Sequence, residues 1–484
     1  MMNPHPRSPI GDAINIKMFR LTIATALSLL SACSVGPDYM RPALETPSAY
    51  KETKAAKSSQ SVDDVVSRSW WEIFADPELN SLEQQVEISN QNVAQAQAQF
   101  RQARALVQAA RAAYFPTVTV GVGITRTARS PTSGTGEVRD SRPFTDHSLP
   151  VDVSWELDVW GRIRRTVESS KATAQASAAD LEAATLSARA ELAQDYFQLR
   201  SLDGQKQLLD NTAVAFEKSL QLTNNRYRSG IASRGDVLQA ETQLKTTQAQ
   251  AIDIGVQRAQ LEHAIALLIG KAPADLTILA APLATHPPTI PVGVPAELLK
   301  RRPDVAAAER TAASANAQIG VAEAAYYPTL SIDSQGGFES SSASKWLSAM
   351  GRFWSAGFNL SQTLFDGGAR KAQVEQARAV YDTDVAAYRQ SVLTGFQEVE
   401  DNVAAQRILV TEAQAQDEAV QAAQQSLAVT MNQYQSGIVS YLNVVVAQTT
   451  ALANERTAVD ILGRRLTASV LLIKALGGGW KAPA

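Results

Sequence analysis

The chain holds a single cysteine, Cys33, so no disulfide can form within it and no cysteine-based metal site can assemble. Its four histidines, His5, His147, His263 and His286, have no metal-ligand spacing. There is no excess of positive charge: 45 Lys and Arg stand against 48 Asp and Glu. That balance gives no footing for nucleic acid. Downstream of Cys33 no apolar run is long enough for a helix to span a membrane. Proline is missing from Gly161 to Gly270 and again from Gly367 to Gly477. Each of these stretches is rich in Ala, Gln, Leu and Glu, so each can hold very long helices.

What is present begins at the N-terminus. Lys17 and Arg20 precede an apolar run from Leu21 to Leu30, followed by Ser31, Ala32 and Cys33. This is the pattern of a secretory signal, residues 1–32, with either Met1 or Met18 as its start. Residues 33–69 are rich in Pro, Ser and Lys and predict an extended segment without its own core.

Four later segments alternate strictly between apolar and polar positions. Their predicted spans are 116–127, 148–160, 328–338 and 352–365. The clearest places Leu149, Val151, Val153, Trp155, Leu157 and Val159 on one face, and Asp152, Ser154, Glu156 and Asp158 on the other. Val118, Val120, Val122 and Ile124 repeat the pattern, as do Leu330 with Ile332, and Trp354 with Phe358 and Leu360. Such strands could half-bury themselves in a soluble sheet. Two features favour a membrane barrel: the polar faces are small and hydrophilic, and aromatics (Tyr114, Phe115, Trp160, Tyr326, Tyr327, Phe365) crowd the strand ends. Four strands cannot close a barrel, because the smallest have about eight, and lipid tolerates no open edge. Several copies of the chain would have to supply the wall.

The segments sit in an internal repeat, which fixes the architecture. Residues 70–271 and 298–476 each read as helix, strand, loop, strand, very long helix, capped turn and returning helix. The Pro-rich residues 272–297 link them, and 477–484 form a tail. Pro77 and Pro303 suit helix starts. Leu192, Leu199, Leu202, Leu209 and Phe216 recur at heptad spacing, as in a coiled-coil seam. The turns lie at about 229–234 and 436–441, and Asn225 to Ser233 matches Asn432 to Ser440 at Asn, Tyr, Ser, Gly, Ile and Ser. Ser233 with Asp236 predicts a capping box. A helix of about 65 residues reaches roughly 100 Å at 1.5 Å each, enough to cross a periplasm.

Several short motifs appear in a fixed order: Leu30-Ser31-Ala32-Cys33, then Ser34 to Tyr39, Trp70-Trp71-Glu72-Ile73-Phe74, Arg301-Arg302-Pro303-Asp304-Val305 with Glu309, the two Tyr-x-Ser-Gly turns and the Leu476-Gly-Gly-Gly-Trp480 end. Together they resemble the TolC-type outer-membrane efflux channels in their lipoprotein (NodT-like) branch. That resemblance implies a mixed α and β homotrimer, in which twelve transmembrane strands, four per chain, continue into a long α-helical barrel. It implies acylation of Cys33, release to the outer membrane, and docking to a periplasmic adaptor (membrane fusion) protein and an inner-membrane pump of the RND type. The implied docking tips are Gly230, Ile231, Ala232 and Ser233 with Gly437, Ile438, Val439 and Ser440; the same residues would equally suit plain helix caps. The implied periplasmic gate falls on Asp236, Tyr434 and Leu442. Where some members carry an arginine and two aspartates this chain has Val439, Asn443 and Val446, so the resemblance implies an apolar iris, with any acidic ring supplied by Asp236.

No cofactor and no enzymatic activity is expected. Gly134 and Gly136 lack the strand-to-helix context of a phosphate loop. Asp152, Glu156 and Asp158 share a strand face, as a carboxylate pair might, but also as a wet channel wall would. Arg301 and Arg302 are expected to fork onto Asp304 or Glu309 near a helix start. The expected function is a passive outer-membrane conduit for small molecules such as drugs; the alternative is a periplasmic lipoprotein scaffold made of helical hairpins.

Overall fold

The computed structural model describes residues 35–52, 67–128 and 142–482. A short 3-10 turn at Trp70–Phe74 leads into α1 (Pro77–Ser89) and α2 (Gln91–Ala112). Strands β1 (Thr117–Val120), β2 (Gly123–Thr127) and β3 (Phe144–Leu157) follow, then α3 (Arg162–Arg228) and α4 (Arg234–Leu268). After the linker come α5 (Pro295–Arg301), α6 (Pro303–Ala324), β4 (Thr329–Ser340), β5 (Arg352–Ser361), α7 (Ala369–Gln435) and α8 (Tyr441–Ala475). The duplication is kept to the residue in three helix pairs. Both α2 and α6 have 22 residues, both α3 and α7 have 67, and both α4 and α8 have 35. Among the described residues no helix is long and apolar enough to cross a membrane.

The chain divides into two compact units. The first joins the described residues up to Pro42 with Arg101–Gln175 and Glu309–Ala386, and so holds the sheet. The second joins Ala43–Phe100, Ala176–Ala308 and Ala387–Ala484.

In the first unit the sheet runs β1-β3-β4-β5, with β2 also on β3, all antiparallel. The predicted first strand is broken in two. Val120 pairs with Val151 and Gly123 with Ser148, so register is kept across the gap. The cause is Pro150, which has no N–H to donate, although its carbonyl still accepts from Gly121 N at 3.0 Å. The bounds of three strands differ from those the alternation predicts. β3 begins at Phe144, so His147 lies in the strand and not in the loop. β4 continues through Gly336 and Gly337 to Ser340; at Gly337 a Cβ would stand 2.1 Å from the Leu149 carbonyl oxygen, so the close strand approach requires glycine there. β5 ends at Ser361, leaving Leu364 and Phe365 beyond it.

Register aligns the apolar faces of successive strands, because directly paired residues share a face. Trp155 pairs with Ile332 and Ile332 with Phe358; Leu157 pairs with Leu330 and Leu330 with Leu360. Asp152, Gln335 and Ser355 form one row of the other face. The alternation is not perfect: Ser334 interrupts the apolar face between Val153 and Ala356, and Phe353 falls on the polar one. Among the described residues much of the apolar face lies open. Val118 is 62 % exposed, Trp354 83 % and Phe358 82 %.

The helices of this unit approach closely through small residues. Ala103, Val107 and Ala174 are buried together. Ser169 and Thr173 of α3 meet Ser314 of α6 at 2.8 and 2.9 Å, and Gln318 donates to Ser169 at 2.7 Å. An extended N-terminal segment is fastened beside them. Arg165 donates to the carbonyls of Val35 and Gly36 and to Asp38, each within 3.1 Å. Tyr39 donates to Glu309 at 2.6 Å.

The second unit holds the main core. Trp70, Trp71, Phe74, Leu79 and Val86 bury themselves against Tyr196, Phe197, Ile265, Ile269, Val470 and Ile473. Asp76 caps α1 by accepting from Glu78 N and Leu79 N, and also accepts a hydrogen bond from the Tyr196 hydroxyl at 2.8 Å. The heptad seam Leu192, Leu199, Leu202, Leu209 and Phe216 is buried throughout. Each such side chain withdraws enough apolar surface to stabilise the fold by roughly 1.5–3 kcal/mol.

Candidate functional site

The two turns that close the long hairpins lie in the second unit. In the first, Ile231 N donates to the Arg226 carbonyl at 2.8 Å and Gly230 N to that of Tyr227 at 2.9 Å. In the second, Ile438 N donates to Gln433 and Gly437 N to Tyr434, at 2.9 and 3.0 Å. Both are Schellman-type ends, which need a left-handed residue after the helix. Gly230 has φ +75° and Gly437 φ +77°.

The returning helices start differently. Ser233 Oγ accepts from Asp236 N at 3.1 Å, and the Asp236 carboxylate accepts from Ser233 N at 2.9 Å. Both halves of the capping box are therefore present. Asp236 is engaged with its own helix start. Ser440 at the second turn has no side-chain cap bond, and the equivalent third position is Asn443.

Tyr434 does not stand out from the helix surface. It is 4 % exposed and packs edge-on against Tyr441, with ring centres 5.3 Å apart. Its hydroxyl lies 3.4 Å from Thr223 Oγ1. Burial pushes the Tyr441 hydroxyl up to about 12. Ala240 and Val444 complete this cluster. The exposed features of the turns are apolar: Ile231, Leu238, Ile438, Leu442 and Val446 all lie open, Ile438 by 72 %. Ala232 and Val439 are half-buried, while Gly230, Ser233, Gly437 and Ser440 are exposed.

One residue of the site is missed by sequence reading. Arg226 looks like an ordinary basic residue in a last helical turn. Its side chain instead donates to the Gln435 carbonyl at 2.9 Å and covers the Tyr434 ring, joining the two hairpin ends. The matching position of the second repeat is Gln433; that asymmetry is the only signal the sequence carries.

Elsewhere the motif residues are fastened into the fold. Arg302 forks onto Asp304 at 3.0 and 2.6 Å, and also reaches Glu398 and the Ala475 carbonyl. Arg301 binds Glu297. Glu309 is not Arg302's partner; Arg310 and Tyr39 hold it. The acidic strand face does not form a carboxylate pair either. Glu156 is held in a fork by Arg162 at 2.9 and 2.7 Å, and Asp158 caps α3 through Ile163 N and Arg164 N. Among the described residues no group of His, Cys, Asp and Glu could hold a metal. Cys33 lies outside the described residues.

An antiparallel sheet with a largely open apolar face, followed in each repeat by a 67-residue helix and a capped hairpin, defines an outer-membrane channel protein. The comparisons agree. The outer membrane efflux protein family model matches residues 82–271 and 294–478, and the chain belongs to that family. It is 30 % identical over 467 residues to the probable efflux pump outer membrane protein TtgC of Pseudomonas putida, covering 95 % of each chain. It is likewise 30 % identical to the pyoverdine export outer membrane protein OpmQ of Pseudomonas aeruginosa, over 96 % of this chain and 98 % of that one. Among solved structures, the outer-membrane channel OprN superposes with TM-score 0.85 at 31 % identity, over 93 % of this chain and all of the other. The open-state MtrE outer membrane channel of Neisseria gonorrhoeae does so with TM-score 0.82 at 25 % identity, over 93 % and 99 %. The protein is thus an efflux channel of the outer membrane.

Proposed function

We propose that three copies of the chain close into one conduit, which receives small toxic molecules from an inner-membrane pump of the RND type through a periplasmic adaptor. The observation that carries this reading is the sheet. Among the described residues its apolar rows are aligned and largely open, and its outer strands β1 and β5 each have a neighbour on one side only. Unpaired edges are not tolerated in lipid, so β5 of one copy must pair with β1 of the next. Four strands from each of three chains give twelve, above the roughly eight that a membrane barrel needs.

Transport through such a conduit is passive. The polar strand face lines a hydrated path, and the pump supplies the energy. The turns Gly230 to Ser233 and Gly437 to Ser440 dock the adaptor, offering it the open apolar side chains Ile231 and Ile438. Leu442 narrows the closed end, with Tyr434 and Asp236 holding the helices on which that constriction rests. Docking opens it by shifting the packed helices. Acylation of Cys33 adds a lipid anchor to the strands, each buried methylene contributing about 0.8 kcal/mol.

The test of assembly is disulfide trapping between copies. With Cys33 replaced by Ala, cysteines introduced singly along β1 and β5 are paired and oxidised in isolated outer membranes. Trimer ladders on denaturing gels, formed only by pairs in antiparallel register, are the expected result. Monomer at every pairing would leave the sheet unclosed and remove this reading. Palmitate label retained by the Cys33→Ala chain would remove the anchor.

A further inference from the structure

The first unit contains a cleft of about 340 Å³ that the channel reading leaves without a role. That volume lies at the lower end of the roughly 300–1,000 Å³ of small-molecule sites. Its walls include Val35, Glu323, Tyr326 and Tyr327, and, near the start of α7, Lys371, Glu375 and Arg378. Tyr327 and its neighbour Pro328 directly precede β4. The Tyr327 ring stacks on Trp160 with centres 4.8 Å apart, and Trp160 Nε1 donates to the Pro328 carbonyl at 2.8 Å. Val35 N in turn donates to the Trp160 carbonyl at 3.1 Å. The cleft therefore sits where the membrane strands leave the bilayer, among the aromatics that mark the headgroup level.

Its charges are arranged in a particular way. Arg378 is neutralised by Glu323 at 3.0 Å, with Glu375 farther off at 3.8 Å. Lys371 is exposed and has no carboxylate within ion-pair distance among the described residues. Lys371 and Glu375 are four residues apart on one helix, so they share a face one turn from each other. The cleft thus offers one free ammonium and one loosely held carboxylate side by side, beneath two half-exposed tyrosine rings.

We propose that this cleft binds the headgroup of a zwitterionic phospholipid, phosphatidylethanolamine. Lys371 takes the phosphate and Glu375 accepts from the primary ammonium, while Tyr326 and Tyr327 pack against the glycerol end. A choline headgroup presents no N–H to Glu375, and a glycerol headgroup presents no cation. The site rests on the outer-membrane placement of the strands, not on the acylation of Cys33. Bound this way, the lipid holds the start of α7 against the leaflet at a fixed depth.

Native mass spectrometry tests this on full-length protein taken only from purified outer membranes, so a failure of localisation shows before any lipid is read. The delipidated channel is titrated with short-chain phosphatidylethanolamine, phosphatidylcholine, phosphatidylglycerol and inorganic phosphate. Collisional activation strips bound lipid but leaves a covalent acyl group, which keeps the two apart. Phosphatidylethanolamine is expected to bind best. Lys371→Gln is expected to weaken phospholipid binding about five-fold, the share of one lysine at a lipid surface. Glu375→Gln is expected to abolish the preference for ethanolamine over choline while leaving binding itself. Lys245→Gln, exposed in the second unit, serves as the control and is expected to change nothing. Equal binding by the Lys371→Gln and parent chains, no preference for ethanolamine, or inorganic phosphate binding as tightly as lipid would each overturn the proposal.

Discussion

Arg226 donates to the main-chain carbonyl of Gln435 across the two hairpin turns, at 2.9 Å, with its guanidinium 4.8 Å from the Tyr434 ring. A single side chain thereby ties the hairpin turn of the first repeat to that of the second. A charge-assisted bond of this kind contributes about 1 kcal/mol where water reaches it. Arg226→Ala is expected to raise amide exchange around Gln435 to Gly437 about five-fold, the equivalent of that energy. In planar bilayers the same variant is expected to spend more time open. Arg226→Lys keeps the charge but not the planar cover over Tyr434, and is expected to fall between the two. Exchange and conductance unchanged in Arg226→Ala would remove the tie from the gate.

Leu442 is open to solvent on α8 and its neighbours Ile438 and Val446 are as well. If several copies bring these side chains together at the closed end, water is excluded there by their apolar surface. Leu442→Ser is expected to raise the open fraction in planar bilayers and to admit large hydrophilic antibiotics to intact cells. Leu442→Ile conserves the surface and is expected to behave as the parent. A Leu442→Ser channel with the parent's conductance would place the constriction elsewhere.

The helices and most of the strands were legible because their causes are local. A long proline-free stretch of good helix formers becomes α3 or α7, and period-two alternation becomes β3 or β5. Even the break between β1 and β2 was present in the sequence, as Pro150 on the facing strand; reading the first strand by itself conceals it. The site was legible only in part. Gly230, Gly437, Ser233 and Asp236 announce themselves by backbone chemistry within a few residues. Arg226 with Gln435, Tyr39 with Glu309 and Tyr434 with Tyr441 are partnerships that only the fold decides. Glu309 shows the limit: spacing offers Arg302, but the fold supplies Arg310 and Tyr39.

Glu83 on α1 is fully buried, and neither carboxyl oxygen has a hydrogen-bond partner among the described residues. Burial holds its pKa well above the ordinary carboxylate value, and the charge of Arg189 offsets that only in part. The folded state therefore binds a proton that the unfolded chain releases at lower pH. Whatever stability this contributes is complete below the ordinary carboxylate range, and is lost as pH rises towards the raised value. Glu83→Gln keeps the shape without the titration. It is expected to raise the thermal midpoint at pH 8 relative to the parent and to leave it nearly unchanged at pH 4. A difference that is the same at both values would show that the Glu83 proton is not linked to folding.

Phe358 ends an aligned apolar row on β5, paired with Ile332, which pairs in turn with Trp155. It is 82 % exposed in the single chain. Facing lipid near the bilayer midplane, an arginine there costs about 2–4 kcal/mol. Facing water, it costs almost nothing. Phe358→Arg is therefore expected to reduce heat-resistant assembled protein in the outer membrane sharply. The reverse holds one residue away: Asn359 pairs with Ser331 on the other face, and Asn359→Arg is expected to assemble and to shift ion selectivity towards anions. The contrast between neighbouring positions is the measurement, since general damage to the strand would lower both. Equal assembly of Phe358→Arg and the parent would mean that this row does not face lipid.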